Sequence, residues 1–341
     1  MEAKEIDNNN FIFVNQSVII ILMLRKKIAV LRGGPSSEYE ISLKTGAEIL
    51  KNLPDDKYNL FDVCVALDGD WYLKGVKTSP SDVLSQIDVV VNAMHGQYGE
   101  DGKIQRLLET FDVPYTGSRS ISSAVAMNKI LAKQEFKKCG VKIPVDIVLK
   151  KDSDYSIAEI FRTFPFPAIV KPVSAGSSLG VGLARTAIEL DQAIKNAFEI
   201  SDKILIEEFI GGREATCGVV DHFRGEDIYA LLPVEIRPKS KNSFFDYDAK
   251  YSGDSEEVCP GNFSENEKTQ MQTLAKKAHQ LLGLRHYSRS DFIISPRRGI
   301  YLLETNSLPG LTEMSLLPKS LNAVGCSLPE FLEHLIELAE K

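Results

Sequence analysis

Ile169-Val-Lys-Pro-Val-Ser-Ala-Gly176-Ser-Ser-Leu-Gly180-Val-Gly182 joins two short apolar runs, 167–170 and 180–184, through a stretch of glycine and serine. Backbone N–H groups and hydroxyls in such a turn can close over phosphates, and Lys171 adds a point charge. The stretch lacks the GK[ST] of a P-loop, and it leads into a strand rather than a helix, contrary to a dinucleotide fingerprint. By itself it reads equally well as an ordinary hairpin turn.

Around this turn the pattern predicts strands at 145–149 and 203–209 and a helix at 187–198, which makes a small antiparallel sheet with helices on one face. A helix is predicted over 118–138, ended by Gly140-Val-Lys-Ile-Pro144. Farther upstream, Lys27-Ile-Ala-Val-Leu31 runs into Arg32-Gly-Gly-Pro-Ser-Ser37 and then a stretch with helical spacing: strand, tight turn, helix. Ser37 and Glu40 suggest a capping box, with Glu38 in the first helical turn beside the glycines. A second unit spans 58–67, and the near-continuous apolar run at 88–95 suits a parallel strand buried on both faces. Downstream, strands are expected at 215–220, 229–236, 291–294 and 300–304, and helices at 264–282 and 328–340. The expected domains are an N-terminal α/β layer at 24–117, a central unit at 118–210 and a C-terminal unit at 211–341. The polar stretch 239–262 is longer than most loops in compact domains and is expected to be a lid.

Composition narrows the function. The chain has 341 residues, 43% of them hydrophobic and 26% charged, which excludes disorder, collagen and coiled coil. A net charge of −7 offers no global field for nucleic acid or anionic membrane. Five scattered cysteines without a CxxC argue against a disulfide framework or zinc cluster and suggest reduced thiols in a cytoplasmic setting. The apolar start is too short for a membrane span of about 20 residues and lacks a cleavage site. Residues 1–23 are expected to be a disordered extension or a mis-assigned start, with Met23 as the true initiator.

Two further clusters carry chemistry. Glu304 and Asn306 sit two apart at the end of a strand, and the turn Pro296-Arg-Arg-Gly299 would fold that strand back on the one holding Asp291. Two carboxylates and an amide carbonyl suit Mg²⁺, although a hairpin with exposed polar residues at its rim explains the triad equally well. Glu207-Glu-Phe-Ile-Gly-Gly-Arg-Glu214 leaves a strand at a domain boundary, a plausible hinge whose edge backbone could read an adenine. The bland alternative is that Glu207 and Glu208 form a solvated edge.

These pieces, in this order, resemble the D-alanine–D-alanine ligase family of the ATP-grasp superfamily across residues 27–341. The matching blocks are Gly33-Gly-Pro-Ser-Ser-Glu38, His95-Gly96 with Gly99-Glu-Asp-Gly102, Tyr115-Thr-Gly-Ser118, Met127-Asn-Lys129, Val170-Lys-Pro172, Gly176-Ser-Ser178, Phe245-Asp-Tyr-Asp-Ala-Lys-Tyr251, Cys259-Pro260 and Leu303-Glu-Thr-Asn-Ser-Leu-Pro-Gly-Leu-Thr312.

The resemblance implies a three-domain ATP-grasp fold, α/β and α+β in class, with an N-terminal Rossmann-like domain. It implies ATP-dependent joining of two D-alanines through an acyl phosphate, for peptidoglycan precursors. Asp291, Glu304 and Asn306 would hold two Mg²⁺, with Mn²⁺ as a substitute. Lys129, Lys171 and Lys250 would contact phosphates, under the turn of Gly176, Ser177 and Ser178. Adenine would lie at Glu207, Glu208 and Ile210, with its ribose on Glu214. Glu38 would pair with the first D-alanine's ammonium near His95, and Ser315 would bind the second D-alanine's carboxylate. Arg289 and the Gly310 N–H would stabilise the oxyanions, while Ser177 and Tyr251 would join Glu38 in closing the lid. For His95 a hydrogen-bonded structural role, and for Arg289 an ion pair with the neighbouring Asp, are the competing readings. Tyr251 favours an amine as second substrate over D-lactate. Alternatives are a ligase using D-lactate or D-serine, and a nucleotide-binding module without catalysis. The family tendency is a homodimer. Ser290 stands where the family usually has an apolar residue, which could loosen packing behind the metal site. His222, His279, His286 and His334 match no family site.

Overall fold

The computed structural model describes residues 25–173, 179–238 and 255–341. The extension 1–23, Gly176, Ser177, Ser178, Lys250, Tyr251 and most of the 239–262 stretch lie outside the described residues. Three sheets organise the chain.

The first is built around β1 (Lys26–Gly33), whose Ile28, Ala29, Val30 and Leu31 are completely buried. A strand apolar on both faces calls for parallel neighbours covered by helices. β1 pairs in parallel with β2 (Tyr58–Val65) on one side and β5 (Val89–Asn92) on the other. A hairpin of β3 (Trp71–Leu73) and β4 (Val76–Thr78) extends the β2 edge. Ala29 and Leu31 face α2 (Pro80–Leu84) and α3 (Lys103–Thr110) through Val83, Leu84, Ile104 and Leu108. Ile28 and Val30 face the other way, toward Ile49 of α1 (Tyr39–Asn52) and toward the last helix of the chain, through its Phe331 and Leu335.

The second sheet follows the expectation of a small antiparallel layer. β6 (Asp146–Lys150), β7 (Ala168–Pro172), β8 (Gly182–Ala184) and β9 (Lys203–Glu208) take the order β6-β9-β7-β8. The same-face residues Ala168, Val170, Ile204 and Ile206 bury against Ile160 of a short helix over 157–163 and against Leu190, Ile194 and Ala197 of one over 187–200. Among the described residues this core shares no side chain with the other clusters.

In the third sheet, β10 (Arg213–Phe223) lies between β14 (Tyr287–Ser295) and β12 (Val234–Pro238), with β11 (Glu226–Ala230) on its far half. β15 (Gly299–Asn306) borders β14, and β13 (Ser255–Val258) borders β12. The helices α4 (Ser120–Met127) and α5 (Lys129–Lys138) pack here, through Ala126, Ala132 and Phe136. The remaining helices, in chain order, are α6 (Ile157–Thr163), α7 (Ala187–Ile200), α8 (Glu265–Leu281), α9 (Leu316–Ala323) and α10 (Leu328–Ala339).

Four local expectations need correction. The helix over 118–138 is two helices: Asn128 leaves the helical region and its side-chain oxygen accepts from the N–H groups of Ile130 and Leu131, capping α5 afresh. The Ser37–Glu40 capping box does not form; α1 starts at Tyr39 with Glu38 at the cap and no side-chain cap bond, and the Ser36 hydroxyl takes the Glu38 N–H instead. The strand over 229–236 is split into β11 and β12, with Pro233, which has no N–H for a ladder, in the gap. Within the 239–262 stretch, residues 255–258 are a strand rather than loop.

Candidate active site

A cleft of about 640 Å³ opens where the first sheet, the α4–α5 junction and the β14–β15 hairpin meet. Its volume suits a small-molecule site. Glu38, His95, Lys129, Arg289, Glu304, Asn306, Gly310 and Ser315 all line it. Asp291 lies immediately behind. Lys171, Glu207, Glu208, Ile210 and Glu214 are outside this lining.

The first-sheet wall depends on turn chemistry. Gly33 and Gly34 have φ of +86° and +102°, which lets β1 turn sharply into α1. Ser42 fastens the turn, accepting from the Gly33 N–H at 2.7 Å and donating to the Ala93 carbonyl at 2.9 Å. Glu38 thus sits at the start of α1 beside Gly96. A Cβ on Gly96 would stand 2.5 Å from Glu38 Oε2 and from Ser36 Oγ, so any side chain there displaces the Glu38 carboxylate. His95 is buried with partners on both ring nitrogens, Nε2 to Thr45 Oγ1 at 2.9 Å and Nδ1 to Glu100 Oε1 at 3.3 Å. Glu100 also accepts from the Gly96 N–H at 2.9 Å. The structural reading of His95 therefore holds in the geometry, while its ring also faces the cleft.

Opposite, the β14–β15 register sets Asp291 against Glu304 and Arg289 against Asn306, with an irregularity after Asp291. This register places Asp291, Glu304 and Asn306 on neighbouring strands. Arg289 Nε and Nη2 donate to Asp291 Oδ1 and Oδ2, both at 2.9 Å, so the ion pair is present together with the cleft-facing position. Burial opposes the guanidinium charge, but Asp291, Glu304 and Glu100 outweigh it and Arg289 stays cationic. Thr216 Oγ1 donates to Asp291 Oδ1 at 2.6 Å. Ser290 is fully buried and its hydroxyl bonds Thr305 Oγ1 at 2.9 Å, so the small side chain is tied rather than loose. Lys129, first residue of α5, brings Nζ to 3.5 Å from Glu304 Oε2. Gly310 lies against Ser315, which precedes α9 without a side-chain cap bond and shares a 2.8 Å hydroxyl bond with Thr312.

The Glu207–Ile210 segment departs from expectation. β9 is internal, between β6 and β7, so its backbone along Lys203–Glu208 is committed to neighbours, and the Phe209 N–H just beyond it donates to the Pro167 carbonyl. Glu207 and Glu208 are buried, at 3% and 6% exposure, which overturns the solvated-edge reading. Glu207 Oε2 holds Lys171 Nζ at 2.7 Å, and Glu208 is held by Arg298. Sequence reasoning missed Glu100, although it lies inside a quoted block, and Lys133, whose signal is its place one helical turn after Lys129. The oxygen donors at Asp291, Glu304 and Asn306 fit a hard cation such as Mg²⁺.

Comparison with known proteins identifies relatives along nearly the whole chain. Family models described as D-ala D-ala ligase N-terminus and C-terminus match residues 27–83 with 73–118, and 137–337. A protein of Desulfotalea psychrophila named D-alanine--D-alanine ligase is 40% identical over 325 residues, 92% of this chain and 95% of its own length. Among solved structures, the VanG D-Ala:D-Ser ligase of Enterococcus faecalis superposes with a TM-score of 0.81 at 28% identity, covering 92% of this chain and 99% of that one. The Bacillus anthracis D-alanine--D-alanine ligase complexed with ATP gives 0.76 at 30%, covering 92% and 97%.

Proposed function

The chain belongs to the D-alanine–D-alanine ligase family, ATP-using enzymes that join D-alanine for peptidoglycan synthesis, and we propose that the cleft between Glu38 and Arg289 is where it does so. The convergence of Glu38, Lys129, Arg289, Glu304 and Ser315 on one cleft carries this reading.

A carboxylate is a poor electrophile, so ATP phosphorylates one D-alanine; the amine of the second attacks the acyl phosphate and a tetrahedral intermediate expels phosphate. Catalysis of this kind is positioning and charge stabilisation. Glu38 holds the first ammonium, with His95 packed beside it. Ser315 receives the second carboxylate. Arg289, kept cationic, and the Gly310 N–H face the oxygens that gain charge. Lys129 and Lys171 attract the phosphates; Lys250, Gly176, Ser177 and Ser178 are assigned to the same task from the sequence alone. Adenine rests at the β9 exit, by Glu207, Glu208 and Ile210, with its ribose toward Glu214. Asp291, Glu304 and Asn306 are the residues to hold two Mg²⁺ or Mn²⁺, which neutralise phosphate charge when bound.

The division at 24–117, 118–210 and 211–341 is likewise a proposal; three separate sheets support it, but α4 and α5, within 118–210, pack on the six-stranded sheet of the last unit. We read the protein as a cytoplasmic homodimer; no helix among the described residues is long and apolar enough to cross a membrane. Tyr251 supports an amine as acceptor, and the similarity to a D-Ala:D-Ser ligase keeps D-serine as the second reading. The test is phosphate release from ATP with mass analysis of products from D-alanine mixed with D-serine and D-lactate. D-alanyl-D-alanine is expected as the main product. ATP turnover indifferent to D-alanine overturns the reading.

A further inference from the structure

Lys133 is a lysine at 3% exposure, in the interior of α5 and outside the cleft. Its Nζ stands 2.6 Å from Glu207 Oε1 and 3.1 Å from Asp146 Oδ1, and donates to the Pro144 carbonyl at 3.1 Å. The other oxygen of Glu207 holds Lys171 Nζ at 2.7 Å. One buried carboxylate therefore carries a different lysine on each oxygen. Burial works against the charge on Glu207, but Lys171 and Lys133 outweigh it and keep the carboxyl below its usual range. Burying a lysine is costly unless geometry is well satisfied, and an apolar residue would serve packing alone at least as well.

The bond also crosses between two packing units. α5 shares its apolar core with the six-stranded sheet, whereas Glu207 and Lys171 stand on β9 and β7 of the four-stranded sheet, which has a core of its own. Lys129 and Lys133 are one turn apart on the same face of α5. The first approaches Glu304 and the second holds Glu207, so one rigid helix spaces the proposed metal end of the site from the proposed purine end.

We propose that Lys133 is a positioning residue: it fixes Glu207 at the purine end, and through it Lys171 at the phosphates, relative to the α5 residue Lys129 beside Glu304. This rests on reading Glu207 and Lys171 as nucleotide contacts. The experiment measures KM for ATP and for D-alanine in the full chain, for wild type, Lys133→Met, Glu207→Gln and the double variant. Lys133→Met is expected to raise KM for ATP about tenfold and leave that for D-alanine within about twofold. The double variant is expected within about twofold of Glu207→Gln, because residues acting through one contact are not additive. If Lys133→Met does not fold, the double variant, which removes both charges, carries the test by the same comparison with Glu207→Gln. A folded Lys133→Met with unchanged KM for ATP, or losses that multiply in the double variant, overturns the positioning role. An unchanged KM in Glu207→Gln overturns the nucleotide reading beneath it.

Discussion

Arg298, in the turn between β14 and β15, holds both oxygens of Glu208 at the end of β9, with Nη1 to Oε2 at 2.8 Å and Nη2 to Oε1 at 3.1 Å. The fork ties the six-stranded sheet to the four-stranded one beside the chain exit read as the adenine site. Glu208 Oε1 also accepts from the Val145 N–H, at 3.1 Å. Arg298→Met would leave this buried carboxylate with that one bond. The expected result is easier local opening of β9. Hydrogen exchange at the Glu208 amide, which donates to the Val145 carbonyl, reports it directly. Exchange as slow as in wild type would refute the tie.

Gly96 tests the donor end of the cleft. Its φ of +71° is left-handed, and an added Cβ would collide with Glu38 Oε2. Gly96→Ala is expected to cost about 1–2 kcal/mol of backbone strain and to displace the Glu38 carboxylate. KM for D-alanine should rise about tenfold while KM for ATP stays within about twofold. Equal changes in both would mean general loosening, not loss of the ammonium site.

Glu304→Gln removes a charge from a side chain that is 43% exposed at the cleft rim. Little stability rests on such a position, so the melting temperature should stay within a few degrees. D-alanine-dependent phosphate release should fall about a hundredfold or more, and more Mg²⁺ should be needed to restore it. Turnover with an unaltered Mg²⁺ requirement would remove Glu304 from the metal set.

Local signals made much of this legible. The turn after Leu31 and the β14–β15 hairpin are written in neighbouring residues, so the pairing that sets Glu304 opposite Asp291 is legible from a period of two and one turn. What escaped depends on partners far away in sequence. Lys133 meets Glu207 74 residues later, and Arg298 meets Glu208 90 residues earlier, so neither pairing has a local trace. The burial of Glu207 and Glu208 escaped for the same reason, since strand order decides which strand is internal. The break at Asn128 was local but ambiguous: asparagine is tolerated inside a helix, and its capping bonds appear once the chain turns.

His286 offers a pH test away from the cleft. It is 5% exposed, with φ of +67°, and its Nδ1 accepts from the Gly117 N–H at 3.1 Å, so the ring is neutral. Its backbone N–H donates to Asp221 Oδ2 at 2.5 Å. Burial first, and then Arg285 with His279 and His334, push its pKa down to about 3, against the opposing pull of Asp221. In the unfolded chain a histidine titrates near about 6.5. The unfolded state therefore binds the extra proton first, and this residue's stabilisation, complete above about pH 6.5, is lost as pH falls toward about 3. At about 1.4 kcal/mol per pH unit, going from pH 7 to pH 5 should remove about 2 kcal/mol. The carboxyl of Asp221 is held below its usual range and adds nothing in that window. His286→Asn keeps a residue that tolerates the left-handed backbone but cannot titrate. Denaturant unfolding at pH 7 and pH 5 should show the wild type losing about 2 kcal/mol more than the variant. Parallel losses would place the acid sensitivity elsewhere.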